Sequence, residues 1–263
     1  MRHLACLRRL ALLALGGACS VALAQATPDD SPSVTPYRPS VSTPAALSAP
    51  GWIELEAGFT SDHPGGSARR DSLPYTVKLA FTPDWGIRIG GDAWVHQRDD
   101  SGPSLDGGGD SSLILKRRFA IDDASAFGLE FGGTVVHGRP GIGSGGTDYS
   151  VNAIYSLDFG GSYHVDLNGV TTRLGQFDPG TSRYQTLWAA ALSRSLDGPW
   201  GITGELSGTR QRGVGSTAQL LTAVTYNVSR RMTLDAGVSH SLRAHGHDWS
   251  VFTGVTMLVG RLF

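Results

Sequence analysis

The chain has 263 residues, of which 40% are hydrophobic and 17% charged, with 36 glycines and a formal net charge of −1. Beyond residue 24 no run reaches the ~18 consecutive apolar residues of a helical membrane anchor, which leaves a β-barrel as the membrane option. The slightly acidic balance excludes a nucleic-acid partner held by phosphate neutralisation.

Residues 1–24 carry Arg2, Arg8 and Arg9, then an apolar stretch from Leu10 to Leu23 and the small-residue site Ala22-Leu23-Ala24. This order of charge, short apolar run and small side chains predicts a cleavable secretory signal. Gly17-Ala18-Cys19 offers a lipoprotein alternative, against which stands Gly16 at a position where Leu is expected. Cleavage after Ala24 removes Cys6 and Cys19, so the mature chain has no thiol, and it removes three arginines and no acid, taking the charge from −1 to −4. Residues 25–50 contain Pro28, Pro32, Pro36, Pro39, Pro44 and Pro50 among Ser, Thr and Ala, too many interruptions for a strand or helix of any length. They are expected as a periplasmic lead-in, with occupation of a barrel lumen as the alternative.

From residue 51 to 263 the chain divides into segments of alternating polarity with the ~9 to 11 residues of a tilted membrane strand. About twelve strands are expected, an even number as bacterial barrels require, starting near Trp52, Pro74, Trp85, Ser111, Ala126, Tyr149, Tyr163, Tyr184, Trp200, Thr217, Met232 and Trp249. In the second, Tyr75, Val77, Leu79 and Phe81 oppose Thr76, Lys78 and Ala80. In the third, Ile87, Ile89, Ala93 and Val95 oppose Arg88, Asp92 and His96, and in the fifth Phe127, Leu129, Phe131 and Val135 oppose Gly128, Glu130 and Thr134. The eighth and last strands are apolar on both parities and leave their registers open. In the last, Val251, Val255, Met257 and Val259 share a parity and the chain ends at Phe263, an ending suited to recognition by the barrel-insertion machinery, although Arg261 departs from the pattern.

The connections 82–84, 120–125, 158–162, 195–199 and 227–231 are short; 61–73, 96–110, 136–148 and 173–183 are longer, and 210–216 and 242–248 fall between. Short periplasmic turns alternating with longer external loops produce this arrangement. Aromatics at Trp52, Phe81, Trp85, Phe119, Phe127, Tyr155, Tyr163, Trp200, Tyr226 and Phe263 then mark the periplasmic interface, with Phe59, Tyr75, Tyr149, Tyr184 and Trp249 at the other.

Motifs for chemistry are weak. Gly141 to Gly146 lacks the following Lys-Ser/Thr and helix of a phosphate loop, which makes it an external loop. His245, His247 and Asp248 have the donor types of a metal site, but imidazoles on a polar loop are more commonly solvated, so no metal or other cofactor is expected. A surface hydrolase would need a Ser beside a His. The residues two after each His of the mature chain are Gly65, Arg98, Arg139, Asp166, Leu242, His247 and Trp249, none of them Ser, and adjacent Ser239, His240 and Ser241 point to alternate faces. No catalytic residue is assigned.

The inward parity is richer. Lys78, Arg88, Lys116 and Arg118 fall on strands two to four, while Glu54, Glu56, Asp92, Glu130, Asp166, Glu205 and Asp235 are spread round the wall. As lumen-lining groups they either pair across the barrel and constrict it, or keep the interior hydrated.

Several blocks carry a family resemblance. Residues 38–44 (Arg-Pro-Ser-Val-Ser-Thr-Pro) followed by 50–58, then 107–113, 115–119, 143–149 and 234–238, resemble the outer-membrane transporters named for the MetA pathway of phenol degradation. The resemblance spans nearly the whole mature chain and implies barrel architecture with small-molecule passage; the link to phenol is not itself chemistry. The expectation is an all-β, antiparallel transmembrane barrel in the outer membrane of a Gram-negative bacterium. It would be surrounded by outer-membrane lipids and serve as a passive channel for a small-molecule solute of hydrophobic or aromatic type. The competing expectations are a structural or surface-interaction barrel without an open pore and, third, an outer-membrane hydrolase.

Overall fold

The computed structural model describes residues 32–100, 102–242 and 248–263. The expected signal sequence and the His245/His247 pair lie outside the described residues. Twelve strands form the wall: β1 (Trp52–His63), β2 (Arg69–Ala80), β3 (Trp85–Arg98), β5 (Ser111–Ala120), β6 (Ser125–Val135), β7 (Tyr149–Phe159), β8 (Tyr163–Arg173), β9 (Tyr184–Ser195), β10 (Trp200–Gln211), β12 (Gln219–Ser229), β13 (Met232–Ser241) and β14 (Trp249–Arg261). Two short strands, β4 (Leu105–Gly107) and β11 (Gly215–Ser216), pair with the outer ends of β3 and β10. Every wall strand pairs antiparallel with its neighbours in the chain, and β1 pairs with β14 from Trp52↔Arg261 to His63↔Trp249, so the sheet closes on itself without an edge. Closure satisfies the whole backbone ladder internally, which a hydrocarbon environment demands.

Polarity is inverted relative to a water-soluble sandwich. Side chains pointing away from the lumen include Leu113, Phe131, Trp188 and Val238, each 49–51% exposed, whereas Glu54, Lys78, Lys116 and Glu205 on the opposite parity are at most 2% exposed. Alternation of period two delivers this sorting wherever the register is unbroken. At the end bearing the short turns the outward aromatics cluster: Phe119 with Phe127, Phe159 with Tyr163, and Trp200 edge-on to Tyr226. The two uncertain registers resolve with Ala189 and Ala191 inside and Trp188 and Leu192 outside on β9, and with Thr256 and Leu258 inside and Val259 outside on β14.

Two sequence expectations are corrected. Period-two counting places Val95 with the outward Ile87 and Ile89, but it is fully buried, and His96 faces out against Asp106. The cause is a β-bulge: Pro74 pairs with Asp92 while Ser72 pairs with Val95, so one extra β3 residue exchanges the two faces, a shift that period-two counting cannot see. The first external loop is also shorter than expected, because β1 and β2 continue as a paired hairpin to His63 and Arg69. Their outer ends carry Ser61, Asp62, Arg69, Arg70 and Asp71, and polarity alone does not separate a wet strand from a loop.

The loop at residues 136–148 is held at three backbone amides by one side chain, with the Ser111 hydroxyl bonding His137 and Arg139 reaching Asp106 C=O beside it. The Asp110 carboxylate accepts hydrogen bonds from the amides of His137 (2.9 Å), Gly138 (2.7 Å) and Ser144 (2.6 Å) and from the Ser144 hydroxyl (2.8 Å). Burial pushes this carboxyl up, but the donors from Gly138, Ser144 and His137 outweigh it and hold its pKa at about 2. The sign follows from the depressed value: the contribution to loop order is complete above the ordinary carboxylate range near ~4 and is lost as pH falls through about 2. Asp110→Ala should therefore speed proteolytic cleavage within 136–148 at neutral pH while the barrel stays intact, and amide exchange at Gly138 and Ser144 should rise with it.

Candidate functional site

Residues 34–48 occupy the interior of the barrel, which is the alternative rather than the first expectation for this segment. Prolines at 36, 39 and 44 prevent it from forming a strand, yet they also remove amide donors that would have to be satisfied in a buried place. Several of the remaining amides find acceptors on the wall. Thr35 N–H donates to Glu54 (3.0 Å), Tyr37 N–H to Glu56 (2.6 Å), Ser42 N–H to Glu205 (2.8 Å), Thr43 N–H to Asn168 (3.1 Å) and Ala45 N–H to the Ser156 hydroxyl (2.7 Å). These acceptors sit on β1, β10, β8 and β7, so the segment crosses the lumen and is held on opposite sides. It enters beside the short 230–231 turn, where Val34 N–H donates to Arg230 C=O, and returns to the same end, where Pro50 bridges to Ala80.

Tyr37 is the centre of the seat. Lys78 Nζ lies 3.9 Å and Lys116 Nζ 4.2 Å from its ring centroid, its hydroxyl donates to Ala46 C=O, and it accepts from Lys116 Nζ at 2.9 Å. Burying cations is costly unless they are paired and bonded. Lys78 is paired with Glu54 (2.6 Å) and Glu56 (2.7 Å) and donates to Thr35 C=O; Lys116 is paired with Glu130 (3.4 Å) and donates to Pro44 C=O. Arg88 bonds the other Glu130 oxygen at 3.1 Å. From the segment itself Arg38 reaches Asp235 at 3.1 Å and donates to Thr253 C=O. Room for that guanidinium comes from two directly paired inward glycines, since a Cβ on either Gly58 or Gly254 would collide with Arg38 atoms. Ala45 packs on Ala126 and Ile154 where Gly128 leaves space.

The candidate lumen groups thus fall into three sets. Glu54, Glu56, Lys78, Lys116, Glu130, Glu205 and Asp235, together with Arg88, hold the segment or the charges around it. Asp92 pairs with Arg70 (2.7 Å) on the long-loop side, and Asp166 bonds Ser156 and His164 on the short-turn side. Arg118, half-buried, makes no ion pair among the described residues. Most pairs form between neighbouring strands or onto the segment, with Arg88–Glu130 spanning β3 to β6. Lys78, Arg88 and Lys116 are therefore neutralised where they stand, which leaves Arg118 as the unpaired one of the four among the described residues and no one-sided positive patch of all four. Local sequence missed Tyr37, Arg38, Asn152 and Asn168, whose partners lie far along the chain. The prior signal available was the inward Gly58, Gly128 and Gly254, small residues facing a lumen that needs space.

A cavity of about 340 Å³ remains between the segment and β8, β9, β10 and β12, lined by Pro36, Ser40, His164, Asp166, Ser193 and Thr203 among others. Its lining mixes prolines and other apolar groups with Ser, Thr, His and Asp side chains, and His164 is bonded on both sides, to Asp158 at 2.6 Å and Asp166 at 3.0 Å.

One Ser-His pair has its serine before the histidine instead of after it: Ser61 precedes His63. Ser61 Oγ is 3.1 Å from His63 Nε2. Ser61 is 3% exposed, and its hydroxyl is also hydrogen-bonded to Asp71, which in a nucleophilic triad would orient the imidazole instead. His63 stacks on Trp249. The arrangement ties β1, β2 and β14 together and offers no accessible nucleophile.

No family model and no curated protein matches the chain. Solved structures do, at low sequence identity. The COG4313 outer membrane channel from Pseudomonas putida F1 superposes with a TM-score of 0.64 at 11% identity, covering 81% of this chain and 97% of that one. The fold is that of outer-membrane channels. The KdgM porin in complex with disordered oligogalacturonate gives 0.55 at 10% identity over 79% of this chain and 99% of its own. The CymD monoaromatic hydrocarbon channel gives 0.52 at 10% over 82% and 90%.

Proposed function

We propose that the protein is a passive outer-membrane channel for small molecules whose N-terminal segment sets the width of the path. The observation that carries this reading is the chemistry of the lumen: the segment is held by carboxylates, amides and ammonium groups, a polar seat with a cavity beside it, not by an interdigitated apolar core that would make the barrel a filled scaffold. The short turns then face the periplasm, where the segment enters, and the longer loops face outward. Hydrophobic or aromatic solutes are the class supported by the family resemblance and by the name of one structural neighbour, CymD.

The occupied lumen also favours a second reading, a closed barrel with a structural role. Planar bilayers separate them. The wild-type protein should carry small, steady currents, and vesicles containing it should admit small aromatic solutes faster than protein-free vesicles. Silence across a range of voltages, together with no solute entry, leaves the structural reading.

A further inference from the structure

The outer face of β8, β9, β10, β12 and β13 holds a groove of about 710 Å³. Its direction follows from strand register. Tyr163 pairs with Arg194, Arg194 with Ile202, Ile202 with Val224, and Val224 with Ala236. Tyr163 is the first residue of β8 and Arg194 the last but one of β9, while Ala236 is the fifth of β13, so the row climbs from the short-turn rim into the middle of the wall. Four strand spacings make roughly 19 Å, matching a chain that must descend obliquely through half of a hydrocarbon core of about 30 Å. Leu192, Ile202, Val224 and Val238 form the sides and are 43–51% exposed; Gly204 lies in the floor, and a Cβ built there meets nothing within 4 Å.

At the rim end stands a cation. The Arg194 guanidinium lies 5.1 Å above the Tyr163 ring and has no carboxylate within ion-pair distance among the described residues. The acids within these five strands, Asp166, Glu205 and Asp235, are all buried on the lumen side. A second copy seated on this strand face would bury Arg194 where the five strands present no outward carboxylate, an uncompensated cost. An anionic phosphate joined to a long apolar chain satisfies both ends of the groove, since guanidinium recognises phosphate through paired N–H donors.

We propose that this groove is a binding site for a glycerophospholipid of the surrounding membrane, with its phosphate on Arg194 and one acyl chain lying over Gly204. The inference rests on the outer-membrane reading above. The protein is reconstituted into vesicles of phosphatidylethanolamine and phosphatidylglycerol, released, and weighed by native mass spectrometry. The wild type should retain one phospholipid. Arg194→Gln should lower the lipid-bound fraction about tenfold, as expected for loss of one charge-assisted contact. Gly204→Leu, which fills open space, should do the same by occlusion. Arg117→Gln, a rim arginine stacked on Trp85 and Phe119 elsewhere on the wall, should change nothing. A folded, membrane-inserted barrel that carries no lipid, or variants that keep it as the wild type does, overturns the site. A dimer mass that disappears in both variants assigns the groove to a second copy and overturns it too. Failure to insert into vesicles, with no heat-dependent gel shift, overturns the outer-membrane reading itself and is told apart by that shift.

Discussion

Deleting residues 33–48 should raise single-channel conductance severalfold and let larger solutes into vesicles. The segment spans the lumen from Glu54 and Glu56 on β1 to Glu205 on β10 and Asn168 on β8, so its removal leaves a water-filled opening where a polypeptide now lies. The barrel itself should persist, because its backbone ladder is complete without the segment and the wall charges released by the deletion gain water instead. A milder variant checks the assignment without shortening the chain. Tyr37→Ala with Arg38→Ala removes the cation-stacked ring and the Asp235 pair, and should give intermittent openings between the two conductance levels. Unchanged conductance in the deletion variant, in a barrel that still shows a heat-dependent gel shift, would mean that the path does not pass through the space the segment fills.

The wall was largely legible in the sequence. Strands starting at Trp85, Ser111, Tyr149, Tyr163 and Trp200 follow directly from an aromatic or turn residue set before a period-two run, those at Tyr184 and Trp249 from the aromatic and the spacing of connections, and that at Met232 from the short connection before it; the structure begins them at those residues. The start of β2 was misplaced because Pro74 cannot donate to a ladder and so marks a strand boundary by default; a bulge between Ser72 and Pro74 accommodates it within the strand. Parity identified the inward charges but not their partners. The contacts of Arg38 with Asp235 and of Ser42 with Glu205 join residues 197 and 163 positions apart, and no local pattern encodes such a distance. The proline content of 25–50 says only that the segment forms no regular element. Its destination is fixed by wall acceptors that become visible once the barrel is closed.

Lys78→Met tests that seat most sharply. Lys78 is 2% exposed and neutralises two carboxylates, Glu54 at 2.6 Å and Glu56 at 2.7 Å, neither of which has another cation within ion-pair distance among the described residues. Removing one member of a buried ion cluster while its partners remain typically costs ~3–5 kcal/mol, because the remaining charge stays dry and unpaired. The full-length variant should therefore unfold from vesicles at markedly lower urea concentration than the wild type. In the variant lacking residues 33–48 the same carboxylates face water, and exposed pairs contribute only about 0–1 kcal/mol. Lys78→Met should then be nearly silent in the deletion background, giving a coupling of a few kcal/mol between the substitution and the segment. The double variant Glu54→Gln with Lys78→Met in the full chain should recover part of the loss by removing one stranded charge. An equal cost for Lys78→Met in both backgrounds would show that the lysine stabilises the wall by itself, and that the segment is not what keeps water from its partners.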